Sequence, residues 1–138
     1  AEAWIKSIPH EVMFVSDMPS YSPVLDRIKL PSRIDFDSPQ AFISTYCHEL
    51  THWSGAKHRL NRLTEAKFGT PDYAKEELVA ELGSAFLCAE FGIDADNLQH
   101  PSYLKSWLTA IKQDARFIFS VASLSKTAVD YLKDQSAT

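Results

Sequence analysis

The chain opens on AEAWIK, patterned as the end of a helix. β-Branched and aromatic residues then crowd Glu11–Ser16 (EVMFVS), which reads as a strand. Pro19 and Pro23 mark MPSYSP as a turn or loop. Val24–Pro31 (VLDRIKLP) roughly alternates apolar and polar positions and ends at a proline, as a strand with one covered face does. These two strands predict a small antiparallel sheet. The period then changes. Phe42, Ile43, Tyr46, Cys47 and Leu50 recur at helical spacing. Asp37, Ser38 and Pro39 supply a cap and a first-turn proline, so a helix is expected to about Trp53, with Gly55 as its stop. Ala56–Thr70 is polar and reads as a loop with a short turn. Pro71 and Asp72 open a second helix, Tyr73 to about Phe91, ended by Gly92. A third starts at Pro101 and runs to about Lys112. A fourth starts at Asp114 and runs to about Leu132, with Ile118, Val121, Leu124, Ala128, Val129 and Leu132 among its apolar positions. A short strand region followed by about four helices is the pattern of an α+β fold.

The 138 residues match one domain, and 45% hydrophobic with 23% charged residues is ordinary globular composition. The chain is read as a single domain over residues 1–138 and as the C-terminal part of something longer, since no initiator Met stands at its start. Net charge is −4, from 14 Lys and Arg against 18 Asp and Glu, which argues against a dedicated nucleic-acid binder. No apolar run approaches the roughly 20 residues needed to span a bilayer, and the N-terminus lacks the pattern of a signal peptide. Cys47 and Cys88 are too few for a disulfide scaffold and sit among apolar residues. They read as free buried thiols of a reducing, cytoplasmic compartment.

The strongest chemical signal is His48-Glu49-Leu50-Thr51-His52, an H-E-x-x-H sequence on the first long helix. Residues four apart share a helix face, so both imidazoles can reach one metal ion. Glu49 lies beside them to take the proton of an attacking water. A catalytic zinc site usually has three protein ligands and an open position. Two candidates compete for the third ligand. HELTHWSGAKH has the metzincin spacing and would bring His58 back through a turn at Gly55. The next helix offers Glu76, Glu77 and Glu81. From Leu78 to Ala89, Glu81 is the only charged residue, on a helix expected to be buried on most sides. Buried charges are paired or metal-bound. Glu77 and Glu81 share a face, and two like charges there repel unless a cation or an imidazole N–H stands between them. Glu77 on the metal, with Glu81 accepting from a metal-bound imidazole, meets both conditions. No methionine follows His58, so the Met-turn of a metzincin is missing. Glu77 is favoured, and His58 stays open as the alternative. Glu76 is read as a first-turn acid favoured by the helix dipole.

These residues resemble a known family. YSPVLDRIKLP, YCHELTHWSG, RLNR, YAKEELVAELGSAFLCAEFGI and HPSYLKSWL look, in that order, like blocks of the ArdC/TraC-type zincin-like metallopeptidase domain of plasmid and mobile-element antirestriction and primase proteins. The resemblance runs from Ala1 to about Leu132. It implies a zincin-like fold with a gluzincin-like site: His48, His52 and Glu77 as ligands and Glu49 as base. Zn2+ would be held one per chain, although two His and a carboxylate also suit Mn2+ or Ni2+. The implied activity is peptide-bond hydrolysis of a peptide or protein substrate. The rival reading is a non-catalytic, metal-stabilised module that binds protein or DNA. In the family single-stranded DNA is bound by an N-terminal domain that this span lacks. The place of His58 is usually a small polar residue there.

Other residues carry weaker signals. Tyr21, His100 and Tyr103 are candidate donors to a developing oxyanion or to substrate. The Val24–Leu30 strand is a candidate edge along the cleft. Trp53 and Trp107 read as core or rim aromatics. Lys57, Arg59, Arg62 and Lys67 read as a solvated basic face near a helix C-terminus.

Overall fold

The computed structural model describes residues 1–63, 70–93, 112 and 114–136. Its elements are α1 (Glu2–Ser7), β1 (Val12–Phe14), β2 (Ser20–Ser22), β3 (Arg27–Leu30), a 3-10 turn at Arg33–Asp35, α2 (Pro39–Ser54), α3 (Pro71–Glu90) and α4 (Arg116–Gln135). The α+β reading stands. His100 and the expected third helix up to residue 111, with Tyr103 and Trp107, lie outside the described residues.

The sheet differs from expectation in two ways. MPSYSP contains a strand, β2, and the three strands run in the order β1-β3-β2. β3 therefore lies in the middle, parallel to β1 (Val12 opposite Ile28) and antiparallel to β2 (Tyr21 opposite Ile28). The sheet is mixed, and its strand beside the cleft is β2, not the Val24–Leu30 segment. The cause is the Pro23–Asp26 turn. Asp26 takes φ +50° and the Leu25 N–H donates to Ser22 Oγ at 3.2 Å, so the chain reverses inside what the alternation marks as one strand. β3 keeps the alternation over its own length: Ile28 and Leu30 are fully buried and Arg27 and Lys29 are not. Burying each apolar side chain contributes about 1.5–3 kcal/mol.

α2 is the central element. Ser38 caps it, its Oγ accepting from the Ala41 N–H at 3.0 Å, and Pro39 opens it. It packs on β2 and β3 on one side and on α3 and α4 on the other. Phe42, Ile43, Tyr46, Cys47, Leu50 and Trp53 join Ile28 and Leu30 in the main core. The side of α2 that carries His48, Glu49 and His52 is buried too. Thr70 caps α3, and Gly92, at φ +72°, follows its end.

Small residues set the distance between α2 and α3. A Cβ on Gly83 would lie 2.8 Å from both Oγ1 and Cγ2 of Thr51, which is fully buried between the two HExxH histidines. Ser84 Oγ donates to Ser44 O across the same seam at 2.7 Å. Gly83→Ala would gain about 1 kcal/mol of helix propensity and lose about 1–3 kcal/mol to overpacking. We expect the clash to win, with a lower melting temperature. A variant that melts above the parent would show that the seam has slack.

Candidate metal centre

α2 places His48 and His52 one turn apart, their rings edge to face with centroids 4.9 Å apart. α3 places Glu77 opposite both. His48 Nε2 is 3.1 Å from Glu77 Oε2, and His52 Nε2 is 3.2 Å from Glu77 Oε1. One ligand atom from each of the three residues lies within 4.8 Å of the others, and all three side chains are buried. A tetrahedron with bonds of about 2.1 Å has donor edges of about 3.4 Å. The two His–Glu77 distances are close to that edge, and the donor set suits a small divalent cation that draws the three ligand atoms together.

The far nitrogens are held as well. His48 Nδ1 donates to Glu81 Oε2 at 3.0 Å. His52 Nδ1 stands 3.7 Å from Glu76 Oε2. Each imidazole thus has a carboxylate behind it and Glu77 in front. Burial alone would lower His52, but the carboxylates of Glu76 and Glu77 facing its two nitrogens and the charge of Glu49 outweigh burial and raise it to about 10. His48 shifts the same way, with burial opposed by Glu77 and Glu81. Burial disfavours the Glu77 charge, yet the two imidazoles hold its carboxyl well below the usual range. A bound cation would take the place of the Nε2 protons.

Glu49 differs from the other acids. It is buried, and its Oε2 has no hydrogen-bond partner among the described residues. Burial raises its pKa. A cavity of about 940 Å³ opens over the cluster, with Glu49, His48, His52 and Glu77 in its wall. Tyr21 lines it too, but its hydroxyl donates to Asp26 Oδ1 at 2.7 Å. Tyr73 lines the same cavity, and sequence reading passed it over. Its one signal was position, four residues before Glu77 on the same helix face. Burial, then the Glu77 charge and a hydrogen bond to the Glu77 carboxylate, raise its hydroxyl pKa.

The structure does not bring His58 to the cluster. Its side chain is 64% exposed and its Nε2 lies 3.4 Å from Asp26 Oδ2. The basic residues after α2 are also not a solvated face. Arg59 and Arg62 are largely buried, and only Lys57 reads as expected, while Lys67 lies outside the described residues. Arg59 binds both oxygens of Asp26 at 2.8 Å and stacks 3.7 Å above the Trp53 ring. Glu76 is no mere first-turn acid: its carboxylate binds Arg62 Nε at 2.5 and 3.1 Å.

The Arg59 bond, with Tyr21 and His58 also facing Asp26, holds that carboxyl at about 2. A depressed carboxylate contributes stability that is complete above its ordinary value near 4 and is lost as pH falls toward 2. Asp26→Asn keeps a residue that tolerates positive φ and removes the charge. The variant should melt below the parent at pH 7, with the gap closing between about pH 4 and 2. A gap that stays constant with pH would mean that the charge of Asp26 does not matter.

A family model described as a zincin-like metallopeptidase matches residues 1–124. The protein y4eC of Sinorhizobium fredii (strain NBRC 101917 / NGR234) is 33% identical over 138 residues, covering 99% of this chain and 45% of that protein. A DNA primase TraC of Escherichia coli is 40% identical over 116 residues, covering 84% of this chain and 11% of the primase. The Mn(II)-bound crystal structure of the antirestriction protein ArdC from plasmid R388 superposes with a TM-score of 0.86 at 36% identity, covering 99% of this chain and 52% of ArdC. The chain spans about half the length of these relatives, or less.

Proposed function

The chain belongs to the zincin-like metallopeptidase family, and on that premise we propose that it is a metal-dependent peptidase domain acting in an antirestriction or plasmid-transfer setting. One observation carries this reading. Two histidine Nε2 atoms converge on the Glu77 carboxylate, beside a buried Glu49 oxygen without a partner among the described residues, in the wall of one cavity. His48, His52 and Glu77 would hold Zn2+, Mn2+ or Ni2+. When bound, such an ion polarises a carbonyl and makes water a nucleophile near neutral pH. Glu81 orients His48 from behind. Glu49 accepts the proton of the attacking water and returns it to the leaving amine, a task suited to a carboxylate whose pKa burial has raised. Tyr73, whose hydroxyl is held toward the cluster by Glu77, is the described hydroxyl we favour as donor to the developing oxyanion.

The cavity wall supports a peptide over a nucleic acid. Asp35, Asp37 and Asp72 line it with no ion-pair partner among the described residues, against Lys75. Phosphate would be repelled there. We therefore assign any contact with single-stranded DNA to the part of longer relatives outside this span. Among the described residues no helix is long and apolar enough to cross a membrane. We place the domain in the cytoplasm, where buried Cys47 and Cys88 stay reduced.

The test is to load the chain with Zn2+ or Mn2+, incubate it with a diverse peptide pool, and read new termini by mass spectrometry. Cleavage that stops with chelator and returns with metal is the expected result. A second reading rests on the relatives, two of which bear the names antirestriction protein and DNA primase. In it the metal only clamps α2 to α3 and the cleft binds without turnover. A fully loaded chain that cuts nothing would favour that reading.

A further inference from the structure

Gly55 has φ −86° and ψ 0°, a backbone that any residue adopts. The turn does not require glycine, but the space does. A Cβ at Gly55 would lie 2.6 Å from Arg62 Nη2 and 2.8 Å from its Cζ. The guanidinium passes across this bare backbone into the protein and is only 8% exposed. There Nη2 donates to Thr51 O at 2.6 Å, Nη1 to Ser54 Oγ at 3.3 Å and Nε to the Glu76 carboxylate. One planar fork thus ties the last turn of α2 to the first turns of α3. The carboxylate it fixes is the one 3.7 Å behind His52 Nδ1. His48 has its own direct carboxylate in Glu81. The support behind His52 is instead a carboxylate held in place by an arginine.

We infer that Arg62 is a positioning residue of the metal centre, acting through Glu76 on His52, and that Gly55 lacks a side chain in order to admit it. This rests on the metal-centre reading above. The rival is a purely structural role, in which Arg62 only pins the 55–63 turn. Lysine could not replace it, because a single ammonium cannot span Thr51 O, Ser54 Oγ and Glu76 together.

The test uses Co2+, whose visible spectrum reports ligand geometry, with affinity measured against a chromophoric chelator. Wild type is compared with Arg62→Ala, Arg62→Lys, Glu76→Gln, Gly55→Ala and the double variant Gly55→Ala/Arg62→Ala. Each single variant should bind Co2+ about 10–100-fold more weakly, the scale for outer supports of metal ligands, with a shifted visible band. Gly55→Ala should add little once Arg62 is gone. Glu76→Gln leaves the buried guanidinium without its carboxylate and lowers the metal-free melting temperature as well, so affinity and spectrum are read at a temperature where every variant is folded, which keeps the test independent of folding. Unchanged affinity and spectrum in Arg62→Ala and Glu76→Gln, with only lower melting temperatures, would overturn the inference and leave the metal centre standing. A wild type that takes up no Co2+ would overturn the metal-centre reading, and this inference with it.

Discussion

Glu77→Ala will leave the chain without its metal, while His58→Ala will keep it. Glu77 faces both histidine Nε2 atoms, at 3.1 and 3.2 Å, and removing it cuts a three-ligand set to two. Losing an outer support costs about 10–100-fold in affinity. Losing a ligand should cost more, at least about 1,000-fold, or about 4 kcal/mol. A metal held at 1,000 times its Kd stabilises the folded state by about 4.1 kcal/mol. For a chain of this size that is a fall in melting temperature of roughly 10 °C or more. Wild type treated with chelator should fall toward the same value. Elemental mass spectrometry supplies the stoichiometry: about one ion for wild type and His58→Ala, and close to none for Glu77→Ala. Loss of metal from His58→Ala instead would mean that the exposed imidazole now beside Asp26 is the true third ligand.

Glu49→Gln should give the opposite result, with metal kept and turnover lost. The amide has the same shape but cannot accept a proton at neutral pH. General-base catalysis contributes about 100- to 10,000-fold, so cleavage of any true substrate should drop by at least that factor. Stability should not drop. A carboxyl whose pKa is raised by burial favours its neutral form, so its charge at pH 7 opposes folding. The variant should melt no lower than wild type. Cleavage at the wild-type rate would remove Glu49 from the mechanism. A full metal complement with intact biological protection and no cleavage in either protein would favour the binding-module reading.

Much of this was legible in the residues because the relevant signals are local. A cap at Ser38 and an apolar stripe from Phe42 to Leu50 define α2 without help from the rest of the chain. H-E-x-x-H then fixes which face carries the imidazoles. The lone acid in the apolar stretch of α3, Glu81, pointed to a buried partner, and the structure places it against His48. What failed to show depends on long-range pairing. Nothing in EVMFVS says that β1 runs parallel to β3, with β2 on the far side. Arg62 and Glu76 looked like ordinary helix-end charges, because composition does not reveal that a guanidinium threads past Gly55. Tyr73 carried no motif and gained meaning only from its place in the cavity.

The sheet order has a consequence for how copies of this chain meet. A bare sheet edge is a template on which a second molecule can add a strand, and long, flat, apolar edges are where aggregation starts. The cleft-side edge, β2, is three residues long. Pro19 precedes it and Pro23 follows it, and neither has an N–H to offer a ladder. An incoming strand would find a few hydrogen bonds and then two places where the ladder stops. The prolines that hide β2 in the sequence are thus the same residues that keep its open edge from zipping onto a neighbour.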